Sequence, residues 1–204
     1  MALQRDTPRL VLASASTSRR AVLRAAGLRF DVRPADVDET ALKHAARSEK
    51  ADAATAAVRL ADAKAAWVAA AEPDALVIGA DQIVVCNGAW FDKPADLAAA
   101  RMHLQTLRGR AHILATAVVC RCGGRRLWQH VAEPRLVMRR FSDAFLDAYL
   151  AMEGGHILGS VGAYRLEGPG VHLFSRVDGE HAAILGLPLL PLLEFLRQSG
   201  VLLA

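Results

Sequence analysis

The sequence predicts an α/β fold: a mixed central sheet with flanking helices. Three observations carry this. Short apolar runs that suit strands, such as residues 9–13 and 75–86, intermix without strict alternation with Ala-rich helical stretches such as residues 52–71. Two turn signals, Asn87-Gly88 and Gly123-Gly124, follow strand-like runs as hairpin turns do. Just over half of the chain is apolar but aromatics are few, so a real core is available and Ala, Leu and Val must build most of it. With 204 residues, the chain 1–204 fits one α/β domain or one domain with two lobes.

The elements follow in order. Residues 9–13 (RLVLA) form a short buried strand running into Ser14-Ala15-Ser16-Thr17-Ser18, whose hydroxyls suit a helix start. The helix covers 19–26 and stops at Gly27. A second strand covers 30–34, and the helix 52–71 ends just before Pro73. The apolar run 75–86 is interrupted by Gly79, Asp81 and Gln82. A helix over 95–107 is closed by Gly109, strands 111–121 and 126–131 flank the Gly-Gly turn, and 135–139 adds another strand. Ser142 caps a helix to Met152, short strands are expected near 171–174 and 182–185, and a last helix follows Pro188.

Composition also excludes classes. The net charge is +4, from 25 basic and 21 acidic residues, a mild excess interleaved with carboxylates. Nucleic-acid binding would call for a basic stripe with aromatics, whereas Arg125-Arg126 and Arg139-Arg140 are scattered pairs. A small polyanion needs only a few converging Lys and Arg. Cys86, Cys120 and Cys122 are odd in number, without framework or zinc spacing, and are expected as reduced cysteines on strands. The first nine residues lack a signal-peptide core, and the greasiest stretch, 184–196, is short and holds Pro188, Pro191 and Glu194. A soluble cytoplasmic protein is expected, with neither nucleic acid nor membrane as partner.

Three segments can carry chemistry. At residues 12–20 a strand meets a helix N-terminus, where free N–H groups and the helix dipole favour an anion. Ser14 and Ser16 add hydroxyls there, and Arg19 and Arg20 add charge, without the glycines of a P-loop. Asp36-Val37-Asp38-Glu39 is a carboxylate cluster suited to a hard cation such as Mg²⁺, or simply a solvated acidic loop. Asp81 lies inside an apolar run, where an unpaired carboxylate is costly; metal coordination, general-base work or an Arg partner would account for it. Lys64, alone on an Ala-rich helix, and Lys93, held before Pro94, are further cations. No nucleophile elbow or zinc-type His pair is present, and the histidines are expected in core or surface roles.

Taken in order, these pieces resemble the Maf family of nucleotide pyrophosphatases. The matches are LAS-x-S-x-x-R at 12–19, VDE at 37–39, LADAKA at 60–65, GADQ at 79–82, DKP at 92–94, LRGRAH at 107–112, GAYRLEGPG at 162–170 and GLPL at 186–189. The resemblance implies two lobes around a nucleotide cleft, as in inosine triphosphate pyrophosphatases, a homodimer, and dependence on Mg²⁺ or Mn²⁺. It implies Asp81 as the base that activates water and as a metal ligand. Arg19, Lys64 and Lys93 would hold the triphosphate above Ser14 and Ser16, and Asp38 and Glu39 would bind the cation. The implied activity is cleavage of a nucleoside triphosphate to monophosphate and diphosphate, a housecleaning of the nucleotide pool. The alternative is a nucleotide sensor that restrains cell division with little turnover. Three positions read the base: the 7-methyl-GTP branch carries Trp, Gln and Glu where this chain has Ser18, Gln82 and Glu167, and the thymidine/uridine branch carries Arg, Thr and Gln. Two of the three thus follow the 7-methyl-GTP branch, and Ser18 follows neither.

Overall fold

The computed structural model describes residues 3–203. In chain order its elements are β1 (Leu10–Leu12), α1 (Thr17–Ala25), β2 (Asp31–Val32), α2 (Glu39–Ser48), α3 (Ala53–Ala71), β3 (Leu76–Cys86), β4 (Ala89–Phe91) and α4 (Leu97–Leu107). Then come β5 (Ala111–Cys122), β6 (Arg125–Ala132), β7 (Arg135–Met138), α5 (Asp143–Glu153), β8 (Phe174–Asp178), α6 (His181–Ile184) and α7 (Leu189–Gln198). The eight strands make one mixed sheet, with the path β2-β1-β3-β5-β7-β8 and with β4 on β3 and β6 on β5. Pairing is parallel between β1 and both β2 and β3, and antiparallel elsewhere. This is the α/β fold with a mixed central sheet that the sequence predicts. No helix among the described residues is long and apolar enough to cross a membrane.

The alternation of β3 explains where the core divides. Leu76, Ile78 and Ala80 feed a core shared with α1 and α7, while Val84 and Cys86, further along the same face, feed another with α4 and α5. Gln82 falls between the two. The neighbouring strand repeats the pattern, with Leu114 in one core, Val118 and Cys120 in the other, and Thr116 at the seam. Gln82 and Thr116 are register partners, and the Gln82 amide donates to the Thr116 hydroxyl at 2.8 Å. The opposite face packs Val77, Ile83, Ala117 and Val119 against α3.

Gly79 does not interrupt β3, which runs unbroken through Asp81 and Gln82. Its role is close approach: a Cβ at position 79 would lie 2.2 Å from the Ala61 carbonyl oxygen and 2.8 Å from the Ala65 Cβ. Ala at 57, 61 and 65 and Gly79 together let α3 lie close on the sheet.

Two expected strands are corrected. Residues 169–173 form a 3-10 turn, because Pro169 starts it and Gly170 is wedged against the Arg165 backbone; the strand begins only at Phe174. Residues 181–184 form one helical turn closed by Gly186 at φ 98°, too short a run for its periodicity to separate strand from helix. α2 is an addition to the expected elements. Asp38 caps it, accepting from the Ala41 N–H at 2.8 Å. Cys86 ends β3 and Cys120 and Cys122 lie on β5, all three as free thiols.

Candidate active site

A cleft of about 600 Å³ opens where the two cores part. Its floor is built by β3. Asp81 faces α3, and the Lys64 ammonium donates to its Oδ1 and lies 2.7 Å from Glu39 Oε1. Lys64 and Asp81 are both buried, so the pair satisfies two charges that would each be costly alone. Gly79 makes this possible, because it brings α3, and Lys64 with it, down to the strand.

One wall is the β1–α1 turn. Ser16 caps α1 by accepting from the Arg19 N–H at 3.3 Å, and Ser14 Oγ accepts from the Ser16 N–H at 3.2 Å. The Arg19 guanidinium reaches back over this turn, donating from Nη1 to Ser14 Oγ at 3.0 Å and from Nε to the Gly186 carbonyl at 2.8 Å. Burial pulls Arg19 below its ordinary value, and the charges of Asp81 and Glu39 oppose this.

The facing wall is α2 with the loop after β4. Glu39, Lys43 and Arg47 recur every fourth residue and so share a face of α2. Glu39 meets Lys64, Lys43 Nζ lies 2.6 Å from Asp92 Oδ1, and Arg47 lies 3.5 Å from Asp92 Oδ2 and over the Trp90 ring. Burial raises the Glu39 carboxyl, but Lys64, Lys93 and Lys43 together outweigh it and hold Glu39 below the usual glutamate range. Asp92 is lowered likewise: burial raises it, and the hydrogen bond and charge of Lys43 prevail. Lys93 is exposed on the cleft rim.

At the far end, Ser18 and Glu167 come together, with the Ser18 hydroxyl donating to Glu167 Oε1 at 3.0 Å. The Gln82 amide nitrogen is fully engaged, by Thr116 and by the carbonyls of Ala183 and Ile184 at 3.1 Å each. The cleft therefore gathers Ser14, Ser16, Ser18, Arg19, Glu39, Lys64, Asp81, Gln82, Lys93 and Glu167. Asp38 is not among its lining residues; its carboxylate is spent on capping α2. Sequence reasoning missed Lys43, Thr116 and Arg165. Placing a helix after Asp38 would have found Lys43, four residues beyond Glu39.

The chain matches the family model described as Maf-like protein over residues 9–199. It belongs to the Maf family. It is 56% identical over 194 residues, 95% of this chain and 98% of the relative, to a protein of Granulibacter bethesdensis named nucleoside triphosphate pyrophosphatase. A Rhodospirillum rubrum protein of the same name is 49% identical over 97% of this chain and 98% of its own length. A Rhizobium meliloti protein named 7-methyl-GTP pyrophosphatase is 46% identical over 96% of this chain and 98% of its own. The Maf motifs fall on structural demands: GADQ carries the close-approach glycine, the carboxylate and the seam, and GLPL supplies the carbonyl that holds Arg19.

Proposed function

We propose that this Maf chain hydrolyses nucleoside triphosphates to the monophosphate and diphosphate. The observation that carries the reading is one carboxylate, Asp81, set on the cleft floor among Lys64, Lys43, Lys93 and Arg19. A sensor with little turnover would need the cations and a metal ligand, but a carboxylate placed to take a proton from water favours turnover. Asp81 takes the proton of the attacking water as its oxygen bonds to the α-phosphorus. The bridging bond to the β-phosphate breaks, and diphosphate leaves into the field of Arg19, Lys64 and Lys93. Lys64 also keeps Asp81 aimed, since its ammonium holds one of the two carboxylate oxygens.

The donor set suits Mg²⁺ or Mn²⁺. Among the described residues no three His, Cys, Asp or Glu side chains converge, and Mg²⁺ typically takes one or two carboxylates with substrate phosphates and water. Asp81 and Glu39 would hold it, Asp38 contributing by starting α2 at Glu39. When bound, the cation neutralises charge on the phosphate oxygens.

At the base end, Glu167 offers a carboxylate that suits the N1–H and N2–H₂ of a guanine or 7-methylguanine. Ser18 engages one of its oxygens, and the stacking surface of a Trp is absent there. A cytoplasmic location and a homodimer complete the proposal, the whole chain 1–204 acting as one two-lobed domain. Diphosphate release from a panel of triphosphates with Mg²⁺ and Mn²⁺, in wild type and Asp81→Asn, tests it. The variant should fold and lose about 10²–10⁴-fold in turnover. Near wild-type kcat in Asp81→Asn would remove Asp81 from the mechanism.

A further inference from the structure

Apart from Asp81, the buried acidic residue among the described residues is Glu153, and the chemistry above does not use it. It ends α5, with its side chain 1% exposed. A buried carboxylate needs a partner, and Arg165 supplies it: Nε donates to Oε2 at 2.9 Å and Nη2 to Oε1 at 3.4 Å. Arg165 belongs to GAYRLEGPG and lines the cleft.

The turn is folded around that arginine. The Gly168 N–H donates to the Arg165 carbonyl at 3.2 Å. A Cβ at Gly170 would lie 2.4 Å from the Arg165 carbonyl oxygen, and one at Gly168 would sit 3.4 Å from Nη2 and 3.5 Å from Glu153 Oε1. Between Arg165 and Gly168 stands Glu167, whose carboxylate receives the Ser18 hydroxyl across the cleft. The preceding Tyr164 is tied inward by His112, Nε2 to hydroxyl at 2.8 Å. Arg165 thus has its half-exposed guanidinium pinned to the buried Glu153 carboxylate while its backbone forms the base of the turn that presents Glu167.

We propose that Glu153 is a positioning residue for base selection. Acting through Arg165, it fixes the turn that holds Glu167 at the cleft, and so sets which base is preferred rather than how fast the phosphoanhydride breaks. The proposal rests on the pyrophosphatase reading above.

The test compares Glu153→Gln, Arg165→Met, Arg165→Lys and the double variant Glu153→Gln/Arg165→Met with wild type. The double removes both charges together, so it leaves no buried ion unpaired and keeps the fold even where a single variant does not. For each protein kcat/KM is measured with GTP, 7-methyl-GTP, UTP and dTTP, with inhibition by pyrophosphate as a reading of the phosphate end. The expected result is a spread between best and worst base reduced roughly tenfold. The double should be no worse than the worse single, because both residues act through one link. Arg165→Lys, which keeps a charge beside Glu153, should retain more of the preference than Arg165→Met. Inhibition of Glu153→Gln by pyrophosphate should match wild type.

An unchanged spread in the folded double, a wild type without base preference, or variants in which every substrate and pyrophosphate weaken by one common factor would each overturn the proposal. A wild type that releases no diphosphate at all would instead overturn the pyrophosphatase reading, and this inference with it.

Discussion

Replacing Gly79 with Ala tests how the fold builds the catalytic pair. The new Cβ would lie 2.2 Å from the Ala61 carbonyl oxygen and 2.8 Å from the Ala65 Cβ, both on the helix that carries Lys64. Reaching an ordinary contact of roughly 3.5 Å requires α3 to move outward by about 1 Å. Backbone is the obstacle at the closer contact, so no side chain can swing aside. Overpacking of this kind costs about 1–3 kcal/mol, and each kcal/mol lowers Tm by about 2–4 °C in a chain of this size. The functional loss should be larger than the stability loss suggests. Lys64 lies on α3 between the two clashing residues, and Asp81 points to the same face as Gly79, two residues on, so the displacement acts directly on their contact. A misplacement of about 1 Å at a reacting centre can cost on the order of 10²-fold in rate. Thermal unfolding followed in parallel with diphosphate release measures both effects. If Gly79→Ala kept wild-type Tm and kcat, the close approach of α3 would not be what seats Lys64 on Asp81.

Three more outcomes are expected. Arg19→Ala, Lys64→Ala and Lys93→Ala should each weaken triphosphate hydrolysis far more than loss of an exposed charge such as Arg125, and nucleoside monophosphate should inhibit weakly because it lacks the two outer phosphates; a monophosphate binding as well as a non-hydrolysable triphosphate would refute the assignment. Burial holds the His112 imidazole down to about 4, so the folded chain binds this proton less readily than the unfolded chain does. Its contribution to stability is therefore full above about pH 6.5 and lost as the pH falls toward about 4, some 3 kcal/mol by linkage to order of magnitude. Urea unfolding of wild type and His112→Gln across that window measures it, and equal slopes would count against it. Glu167→Gln should raise relative activity on UTP or dTTP by roughly tenfold, since the carboxylate faces an acceptor there; a wild type that already prefers UTP or dTTP removes the guanine assignment.

Much of the fold was legible because local signals and tertiary structure agree. The helix at 53–71 has its cap in Asp52, and the Asn87-Gly88 and Gly123-Gly124 turns close the hairpins foreseen for them. What was not legible has physical causes. Gly79, Asp81 and Gln82 interrupt the apolar run of the strand expected at 75–86, and single-chain reasoning sees only that loss of apolar character, not its reason. It does not see a helix backbone 2.2 Å from a would-be Cβ, or a seam between two cores. α2 has only a short apolar stripe, Leu42 partly buried and Ala46 buried, and its other contacts are made by Glu39, Lys43 and Arg47, so the signal that announces a helix is weak. Within the site, Asp81 was legible as a charge out of place. Arg165 was not, since nothing local tells that its partner is a buried glutamate twelve residues back.

The seam between Gln82 and Thr116 has a mechanical consequence. Domain closure by hinging relies on a few linker residues that absorb large backbone rotations. Here the strands β3 and β5 pass through the seam without a break, paired at nine successive positions from Val77 to Val85, so the floor of the cleft is a stiff beam. Its two banks cannot swing about a joint. Adjustment to a nucleotide falls to the parts around the beam, α2 above all, which meets Lys64 and Asp92 through ion pairs and the core through little more than Leu42 and Ala46, and the beam itself should be among the last backbone to exchange its amide hydrogens.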